Sequence, residues 1–190
     1  MSNFFAMISR MKYIDRWGLM NNTKTENISE HSLEVAILSH ALVTIANTRC
    51  DCDLDADRAA VIGMFHDASE IITGDMPTPV KYYNPEINSA YKAVEKVAEN
   101  KLVDMLDDDL KEQYRPLISC DDTELAPYIK AADKLSALIK CIEEVRMGNN
   151  EFLKAKASIE EAIDAMELPA LEIFKREYLP AYYLTLDELG

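Results

Sequence analysis

Basic residues are scarce in this sequence. Its 190 residues include 20 Lys and Arg against 34 Asp and Glu, which gives a formal net charge of −14. Proteins that bind nucleic acid need a basic surface to neutralise phosphates, and anionic membranes repel an acidic surface. The composition therefore argues against nucleic acid and membranes as partners. A phosphate-bearing ligand is expected to be small and to be held by a few local cations or a metal ion.

Long apolar runs, glycine and proline are also in short supply. No segment approaches the roughly 20 apolar residues of a membrane-spanning helix, and the N-terminal residues lack the pattern of a signal peptide. Of the four cysteines, Cys50 and Cys52 are separated by one residue, which is not the spacing of a zinc or redox motif. We therefore expect free thiols and a cytoplasmic protein. The five glycines and seven prolines leave room for long helices.

Apolar residues recur with the helical period along the chain, whereas the two-residue alternation of strands is hard to find. No linker, repeat or change in composition divides the sequence. The sequence thus predicts an all-α fold, a compact helical bundle, in a single domain over residues 1–190. Helices are predicted near residues 2–13, 27–48, 58–72, 86–106, 123–147, 149–166 and 169–178.

Local sequence signals mark the ends of two of these helices. Asn27 and Glu30 have the spacing of a capping box, which satisfies the free amides of a helix N-terminus. Asp55 or Asp57 can cap the next helix, and Gly74 is expected to stop it. The helix after Asn27 has apolar residues on more than one face, which predicts a central position in the bundle.

The chain contains only three histidines, His31, His40 and His66. His66 and Asp67 lie inside one apolar helical stretch and Asp133 inside another, where a charge is costly unless it is paired or bound to a cation. His31 and His40 are nine residues apart, which places them on opposite faces of one helix at about 100° per residue. His40 is therefore predicted to be structural, and the remaining histidines favour a single metal ion over a binuclear centre.

Two imidazoles and two carboxylates form the candidate metal site: His31, His66, Asp67 and Asp133. A mixed nitrogen and oxygen set suits Mn²⁺, Co²⁺, Fe²⁺ or Zn²⁺ better than a thiolate site or an all-oxygen calcium site would. Each residue alone has a simpler explanation, because a histidine in an apolar segment is more often a hydrogen-bonded core residue. An HD dipeptide in a helix is weak support by itself.

The order of these residues resembles the H…HD…D signature of the HD-domain metal-dependent phosphohydrolases. Longer segments are similar to those of the bacterial YfbR-type 5'-deoxynucleotidases within that superfamily, namely residues 16–20, 25–33, 66–70, 73–82 and 148–152. The resemblance extends over nearly the whole chain. Its most specific part is the sequence H-D-A-S-E followed by T-G-D-M-P-T-P.

This resemblance implies an enzyme that hydrolyses deoxyribonucleoside 5'-monophosphates to deoxyribonucleosides and phosphate. One divalent ion, Co²⁺ or Mn²⁺ ahead of Zn²⁺, Mg²⁺ or Fe²⁺, would be held by the four residues of the candidate metal site. A hydroxide bound to that ion would attack phosphorus. The resemblance also implies a homodimer. Apolar residues in 171–180 are one candidate partner surface, and packing on the chain's own core is the other explanation for them.

Catalytic roles are implied for Glu70, Asp67 and Arg16. Glu70 is expected to transfer a proton, and Asp67 to touch both metal and substrate. Arg16 is expected to hold the phosphate through its guanidinium group, which also offsets the acidic charge of the protein. The alternatives are a surface or hydrogen-bonding carboxylate for Glu70, and simple pairing with Asp15 or Glu26 for Arg16.

Substrate contacts are implied for Trp17 and for the segment that follows Gly74. Trp17 is the only tryptophan and would form a flat apolar wall beside the sugar or base, although core packing would also explain it. Two prolines stiffen the segment over residues 75–79 and argue against a helix there. The substrate-contact residues implied in it are Asp75, Met76, Pro77 and Thr78, and a purely structural turn is the alternative.

Two other functions compete with this prediction. Another HD phosphohydrolase would act on nucleoside triphosphates or phosphodiesters, but a triphosphate site wants clustered cations, and mainly Arg16, Lys24 and Lys81 lie near the motifs. A non-catalytic nucleotide sensor would keep the metal fold without turnover. Because Glu70 and all four candidate ligands are present, the sequence favours the enzyme.

Overall fold

The computed structural model describes residues 2–81 and 83–190, without the side chain of Thr78. Within these residues the chain is all-α, as predicted, and its one β pairing is an isolated antiparallel bridge between Asp15 and Asn27. The α-helices in this part of the chain are α1 Phe4–Ile8, α2 Ile28–Arg49, α3 Ala56–Phe65, α4 Glu70–Thr73, α5 Thr78–Lys81, α6 Pro85–Val103, α7 Asp108–Ser119, α8 Ala126–Arg146, α9 Leu153–Asp164 and α10 Pro169–Glu177. Short 3₁₀ segments cover Ser9–Tyr13, Asn150–Phe152, Leu179–Tyr183 and Leu186–Glu188.

Helix α2 lies at the centre of the fold and packs against α3, α8 and α10. The predicted capping box is present, since the Asn27 side chain accepts the amide of Glu30 and the Glu30 side chain accepts the amide of Asn27. Eleven of the 22 residues of α2 are buried, on several faces, which confirms its central position. Each fully buried Leu, Ile or Val contributes roughly 1.5–3 kcal/mol of transfer free energy.

A glycine sets the separation of α2 and α3. A Cβ atom added at Gly63 would lie 2.9 Å from Ala36 Cα and 3.1 Å from Ala36 N, both backbone atoms of α2. Because backbone atoms cannot move aside as a flexible side chain can, the two helices approach this closely only with glycine at this position. The contact lies one helical turn before His66, so it positions the start of the HD motif against α2.

The predicted helix over residues 58–72 is interrupted. Asp55 caps α3, as predicted, by accepting the amide of Arg58 at 2.8 Å, but α3 ends at Phe65 and α4 begins only at Glu70. The intervening turn uses hydrogen bonds to the third preceding residue, such as the amide of Glu70 to the carbonyl of Asp67 at 3.0 Å. Residue periodicity does not distinguish such a turn from an α-helix, and tight turns of this kind often mark functional sites.

Two further differences concern prolines. The segment over residues 75–79 was predicted to be non-helical, but α5 begins at Thr78 with Pro79 in its first turn, where a missing amide costs little. Helix α7 was not predicted from the sequence, and it contains Pro116 near its C-terminal end. It remains helical because a buried face, including Ile118, packs against the rest of the fold.

Solvent exposure distinguishes core residues from surface residues in α10 and α2. Leu171 and Phe174 of α10 are 0% and 5% exposed and belong to the main core, so packing on the chain's own core explains them. His40 is half exposed, with its Nε2 3.4 Å from Asp57 Oδ1, and lies apart from His31, as the helical spacing predicted. None of the described helices is long and apolar enough to cross a membrane.

Candidate metal centre and substrate site

Four side chains converge beside the first turn of α2. His31 belongs to α2, His66 and Asp67 to the turn after α3, and Asp133 to α8. His31 Nε2 lies 3.5 Å from Asp67 Oδ2 and 3.3 Å from Asp133 Oδ1, and His66 Nε2 lies 3.2 Å from Asp67 Oδ2. Potential ligand atoms of His31, His66 and Asp133 all lie within 4.8 Å of one another. The structure therefore brings together all four residues of the candidate metal site, which we call the metal cluster.

Both imidazoles of the cluster present the same nitrogen to it. The Ser136 hydroxyl donates its only proton to Glu34 Oε2 at 2.6 Å, so at 2.9 Å from His31 Nδ1 it must accept a proton from that nitrogen. His66 Nδ1 donates to the carbonyl oxygen of Gly63 at 2.8 Å. In the neutral ring each Nε2 therefore carries the lone pair, and both are buried without a hydrogen-bond partner among the described residues. These residues fit a divalent metal ion.

The charges of the cluster also suit a cation. Burial disfavours the ionised form of Asp67, but charge and hydrogen-bond interactions with His66 and His31 outweigh this effect. They hold the pKa of Asp67 well below its usual range. His31 and Lys134 likewise lower the pKa of Asp133 despite its burial. Burial lowers the pKa of His66, but the neighbouring Asp67 carboxylate raises it by more, and the resulting pKa is about 9. A proton and a metal ion therefore compete for the imidazole of His66.

Glu70 is buried next to this cluster, at the start of α4. It is 6% exposed, so it is not the surface carboxylate of the alternative interpretation. Burial raises the pKa of Glu70 to about 10, with Asp67 and Asp75 adding to the effect and Arg16 and Lys81 opposing it. Its Oε2 has no hydrogen-bond partner among the described residues. A carboxyl group in this position can hold a proton and pass it to a reacting group.

Arg16 and Trp17 lie on the segment between the first 3₁₀ segment and α2. Arg16 pairs with Glu26, not Asp15, through Nη1 and Oε2 at 2.8 Å, and its side chain is 12% exposed. Burial disfavours the charged form, yet Glu26 and, more weakly, Asp67 raise the pKa of Arg16, so this cation lies within the electrostatic range of the cluster. The amide of Trp17 donates to Asp75 Oδ2 at 3.2 Å, which joins this segment to the one after Gly74.

The predicted substrate-contact segment follows a glycine with a positive φ angle. Gly74 ends α4 with φ 73°, a conformation that other residues rarely adopt, so the Gly74 stop is confirmed. Asp75, Met76 and Pro77 are partly buried, and burial raises the pKa of Asp75 while Arg16 opposes the shift. Of these residues, Asp75 is joined to the Arg16–Trp17 segment by a direct hydrogen bond. The side chain of Thr78 lies outside the described part of the structure.

Several residues that support the site did not stand out in the sequence. Ser136 and Glu34 orient His31, and each is three residues from a cluster residue on the same helix, a spacing that would have indicated them. Glu144 of α8 is 2% exposed and accepts the amides of Thr23 at 2.9 Å and Lys24 at 3.2 Å. Its other donors are Lys140 Nζ at 2.5 Å and Asn149 Nδ2 at 2.8 Å. No local signal connects Glu144 with a segment 120 residues earlier.

Solved structures with the same fold include two proteins described as HD phosphohydrolases. The HD-domain phosphohydrolase from Listeria innocua superposes with a TM-score of 0.83 at 22% identity, over 95% of this chain and 88% of that one. The HD phosphohydrolase DatZ of cyanophage S-2L, solved with dA and one catalytic Zn²⁺ ion, superposes with a TM-score of 0.67 at 18% identity, over 95% and 96%. At these identities the likeness establishes the fold, which is the predicted HD-domain helical bundle.

Sequence comparison identifies the family of this chain. A family model described as 5'-deoxynucleotidase YfbR-like matches residues 3–182. The 5'-deoxynucleotidase YfbR of Escherichia coli strain ATCC 8739 is 47% identical over 191 residues, covering 100% of this chain and 96% of the relative. The protein of the same name from Escherichia coli O157:H7 strain EC4115 matches equally well. The chain therefore belongs to the YfbR-like family, as the resemblance of its motifs predicted.

Proposed function

We propose that this protein is a metal-dependent 5'-deoxynucleotidase that hydrolyses deoxyribonucleoside 5'-monophosphates to deoxyribonucleosides and phosphate. The observation that carries the proposal is the metal cluster. Its two histidines present to two carboxylates an Nε2 that has no hydrogen-bond partner among the described residues. The relatives that match over the full chain are named 5'-deoxynucleotidase, which supplies the substrate class.

The residues proposed to hold the metal ion are His31, His66, Asp67 and Asp133. When bound, a divalent ion supplies a Lewis acid that makes water nucleophilic at neutral pH and polarises a phosphoryl oxygen. The mixed nitrogen and oxygen ligands suit Mn²⁺, Co²⁺, Fe²⁺ or Zn²⁺, and the family resemblance favours Co²⁺ or Mn²⁺, with Zn²⁺, Mg²⁺ and Fe²⁺ as alternatives. The second hydrogen bonds of the two imidazoles keep the rings oriented, which raises metal affinity.

The charged groups beside the metal cluster support phosphate binding by Arg16 and proton transfer by Glu70. A phosphate dianion approaching a protein of net charge −14 needs a local cation, and Arg16 is a cation within the electrostatic range of Asp67 and Asp133. Its guanidinium group can contact two phosphate oxygens at once. Glu70 is proposed to transfer a proton between solvent or water and the departing 5'-oxygen, and Asp67 to contact both the metal and the phosphate.

Recognition of the nucleoside is assigned to Trp17 and to the segment after Gly74. The indole would form a flat wall beside the deoxyribose. Asp75, Met76, Pro77 and Thr78 would contact the substrate from the opposite segment, which the hydrogen bond from the Trp17 amide to Asp75 links to the wall. The short α5 and its proline reduce the conformational entropy that ordering this segment costs.

The test is phosphate release from metal-stripped protein that is re-supplied with Co²⁺, Mn²⁺, Mg²⁺ or Zn²⁺. The substrates are dAMP, AMP, 3'-dAMP and dATP, and Asp67→Ala is the inactive control. We expect metal-dependent release from dAMP, weak release from AMP, and none from the variant. Release from dATP but not dAMP would replace the substrate with a triphosphate. Metal and nucleotide binding without release from any substrate would identify a sensor.

A cytoplasmic homodimer is also proposed, on the family resemblance alone. Light scattering after gel filtration should give a mass near twice 21.5 kDa. A monomeric mass at micromolar concentration would contradict it. Because Leu171 and Phe174 are buried in their own core, a dimer surface would have to use other residues.

A further inference from the structure

The backbone of Trp17 has an unusual conformation. Its φ angle is 60°, in the left-handed region that bulky residues avoid at a cost of order 1–3 kcal/mol. Such a conformation persists only where surrounding contacts impose it. Three contacts of Trp17 reach other segments or side chains of the site: its amide donates to Asp75 at 3.2 Å, its indole packs on Phe152 with ring centroids 5.3 Å apart, and its Nε1 donates to Glu26 Oε2 at 2.9 Å.

One carboxylate oxygen serves both predicted substrate residues. Glu26 Oε2 accepts the indole N–H of Trp17 at 2.9 Å and also Arg16 Nη1 at 2.8 Å. The Glu26 side chain is 13% exposed, so water screens these bonds little. The backbone holds Glu26 in place as well, because its carbonyl oxygen accepts the amide of Arg16 at 2.9 Å beside the Asp15–Asn27 bridge. The carboxylate is therefore fixed opposite both residues.

We propose that Glu26 is the positioning residue that fixes the Trp17 indole relative to Arg16 and thereby sets the preference for deoxyribose over ribose. The inference rests on the proposed function, in which Arg16 holds the phosphate and Trp17 borders the sugar. Phosphate and sugar lie a fixed number of bonds apart in a nucleotide. A wall can therefore exclude a 2'-hydroxyl only if its distance from the phosphate-binding cation is also fixed, and Glu26 joins the two.

The variants of Glu26 distinguish the effect of the position of its carboxylate from the effect of its negative charge. Glu26→Ala removes the acceptor, and Glu26→Asp keeps the charge but withdraws the carboxylate by one methylene. Glu26→Gln keeps an oxygen that can accept both bonds and removes the charge. Asp15→Ala is the matched control, because it deletes an exposed carboxylate from the same bridge whose side chain has no hydrogen bond among the described residues.

Two readouts report on the inference independently. Trp17 is the only tryptophan, so its fluorescence emission and quenching by acrylamide report the indole position without metal or substrate. The ratio of kcat/KM for dAMP and AMP reports the sugar preference, and any change in phosphate contact by Arg16 cancels from it. An apolar wall discriminates against a hydroxyl by roughly 100-fold, so release of the indole should reduce the ratio by about tenfold.

We expect red-shifted, more quenchable emission and a reduced ratio for Glu26→Ala and Glu26→Asp. Glu26→Gln and Asp15→Ala should keep the emission and the ratio of the parent protein. If Glu26→Ala does not fold, Glu26→Asp carries the same expectation. Unchanged emission and ratio in Glu26→Asp would overturn the inference, and so would a Glu26→Gln variant that behaves like Glu26→Ala, because charge would then be the cause.

The same measurements distinguish failure of the proposed function from failure of the inference about Glu26. If the parent protein releases no phosphate from dAMP, the enzyme assignment fails, while the emission of the Glu26 variants still tests whether Glu26 fixes the indole. If the parent protein prefers dAMP and the emission of Glu26→Ala shifts without any change in the ratio, the enzyme assignment stands and the role of Glu26 in sugar preference is refuted.

Discussion

The metal cluster and the substrate side of the site are built in different ways. The cluster residues project from α2, α8 and the turn after α3, and these three helices pack against one another in the main core. The substrate-side segment, residues 14–27, is irregular and is held by three carboxylates, those of Glu26, Asp75 and Glu144. Packing thus fixes the cluster collectively, whereas a few charged hydrogen bonds fix the substrate side and can be removed one at a time.

The largest effect is expected on kcat, from a substitution of Glu70, which lies between the metal cluster and the substrate side. Glu70→Gln keeps the size of a buried side chain and removes proton transfer, so kcat should fall on the order of 10²–10⁴-fold. Metal content and melting temperature should stay close to those of the parent protein, because no hydrogen bond among the described residues joins the Glu70 side chain to the cluster. The measurements are steady-state kinetics and metal analysis. A variant that retains full kcat would remove Glu70 from the mechanism.

The substrate side should lose stability in acid through Glu144. Hydrogen bonds from Lys140, Asn149 and Thr23 overcome the cost of burial and lower the pKa of Glu144 below its usual 4.5. Its contribution to stability is therefore full above about pH 4.5 and is lost as the pH falls toward the lowered pKa. Glu144→Gln should cost roughly 3 kcal/mol at pH 7, as for a broken buried pair.

Melting curves of the parent protein and Glu144→Gln between pH 3 and 8 check this prediction. The difference in melting temperature should be constant above about pH 5 and should shrink below about pH 4.5. A difference that stays constant down to pH 3 would show that the ionised carboxylate is not what holds residues 23 and 24. Glu143→Gln on the same helix is the control, because the Glu143 side chain is exposed and accepts no hydrogen bond from the residues that the structure describes.

The cluster side is tested through the close approach of α2 and α3. Gly63→Ala forces a Cβ atom against the backbone of Ala36 and should cost about 1–3 kcal/mol. For a chain of this size that corresponds to roughly 2–4 °C in melting temperature per kcal/mol. Gly18→Ala is the matched control, since its added Cβ meets nothing within 4 Å. Equal melting temperatures for the two variants would refute the steric argument.

A smaller effect is expected from the hydroxyl that orients His31. Ser136→Ala removes the acceptor for His31 Nδ1 and leaves the fold intact, so metal affinity should fall about 10–100-fold. Competition with a chromophoric chelator measures it without any activity assay. Ser39→Ala on α2 is the control, because that buried hydroxyl has no hydrogen-bond partner among the described residues. Equal affinities in both variants would assign Ser136 to packing.

The two regions also differ in how far the sequence predicted them. Helical periodicity and the HD motif were enough to predict the four cluster residues and to separate His40 from them, because helix geometry converts spacing into direction. The interruption between Phe65 and Glu70 was missed, since a tight turn and an α-helix have similar residue patterns. Helix α7 was missed because Pro116 argues locally against a helix that tertiary packing maintains.

On the substrate side the resemblance indicated residues but not their arrangement. Arg16 was expected to pair with Asp15 or Glu26, and only the structure shows the choice of Glu26 and the shared bond to Trp17. Glu144 and Thr23 are 121 residues apart, so no local pattern relates them. Contacts of this kind depend on the completed fold and therefore become visible only with it.

The bonds from Thr23 and Lys24 to Glu144 have a consequence for backbone exchange with solvent. Amides in an irregular segment normally exchange quickly, but these two are bonded to a buried carboxylate and can exchange only when the segment lifts from α8. Their hydrogen-exchange rates therefore measure the free energy of opening the substrate side, separately from global unfolding. Opening at a free energy well below that of the α2 amides would mean that the substrate side can detach while the helices bearing the cluster stay folded.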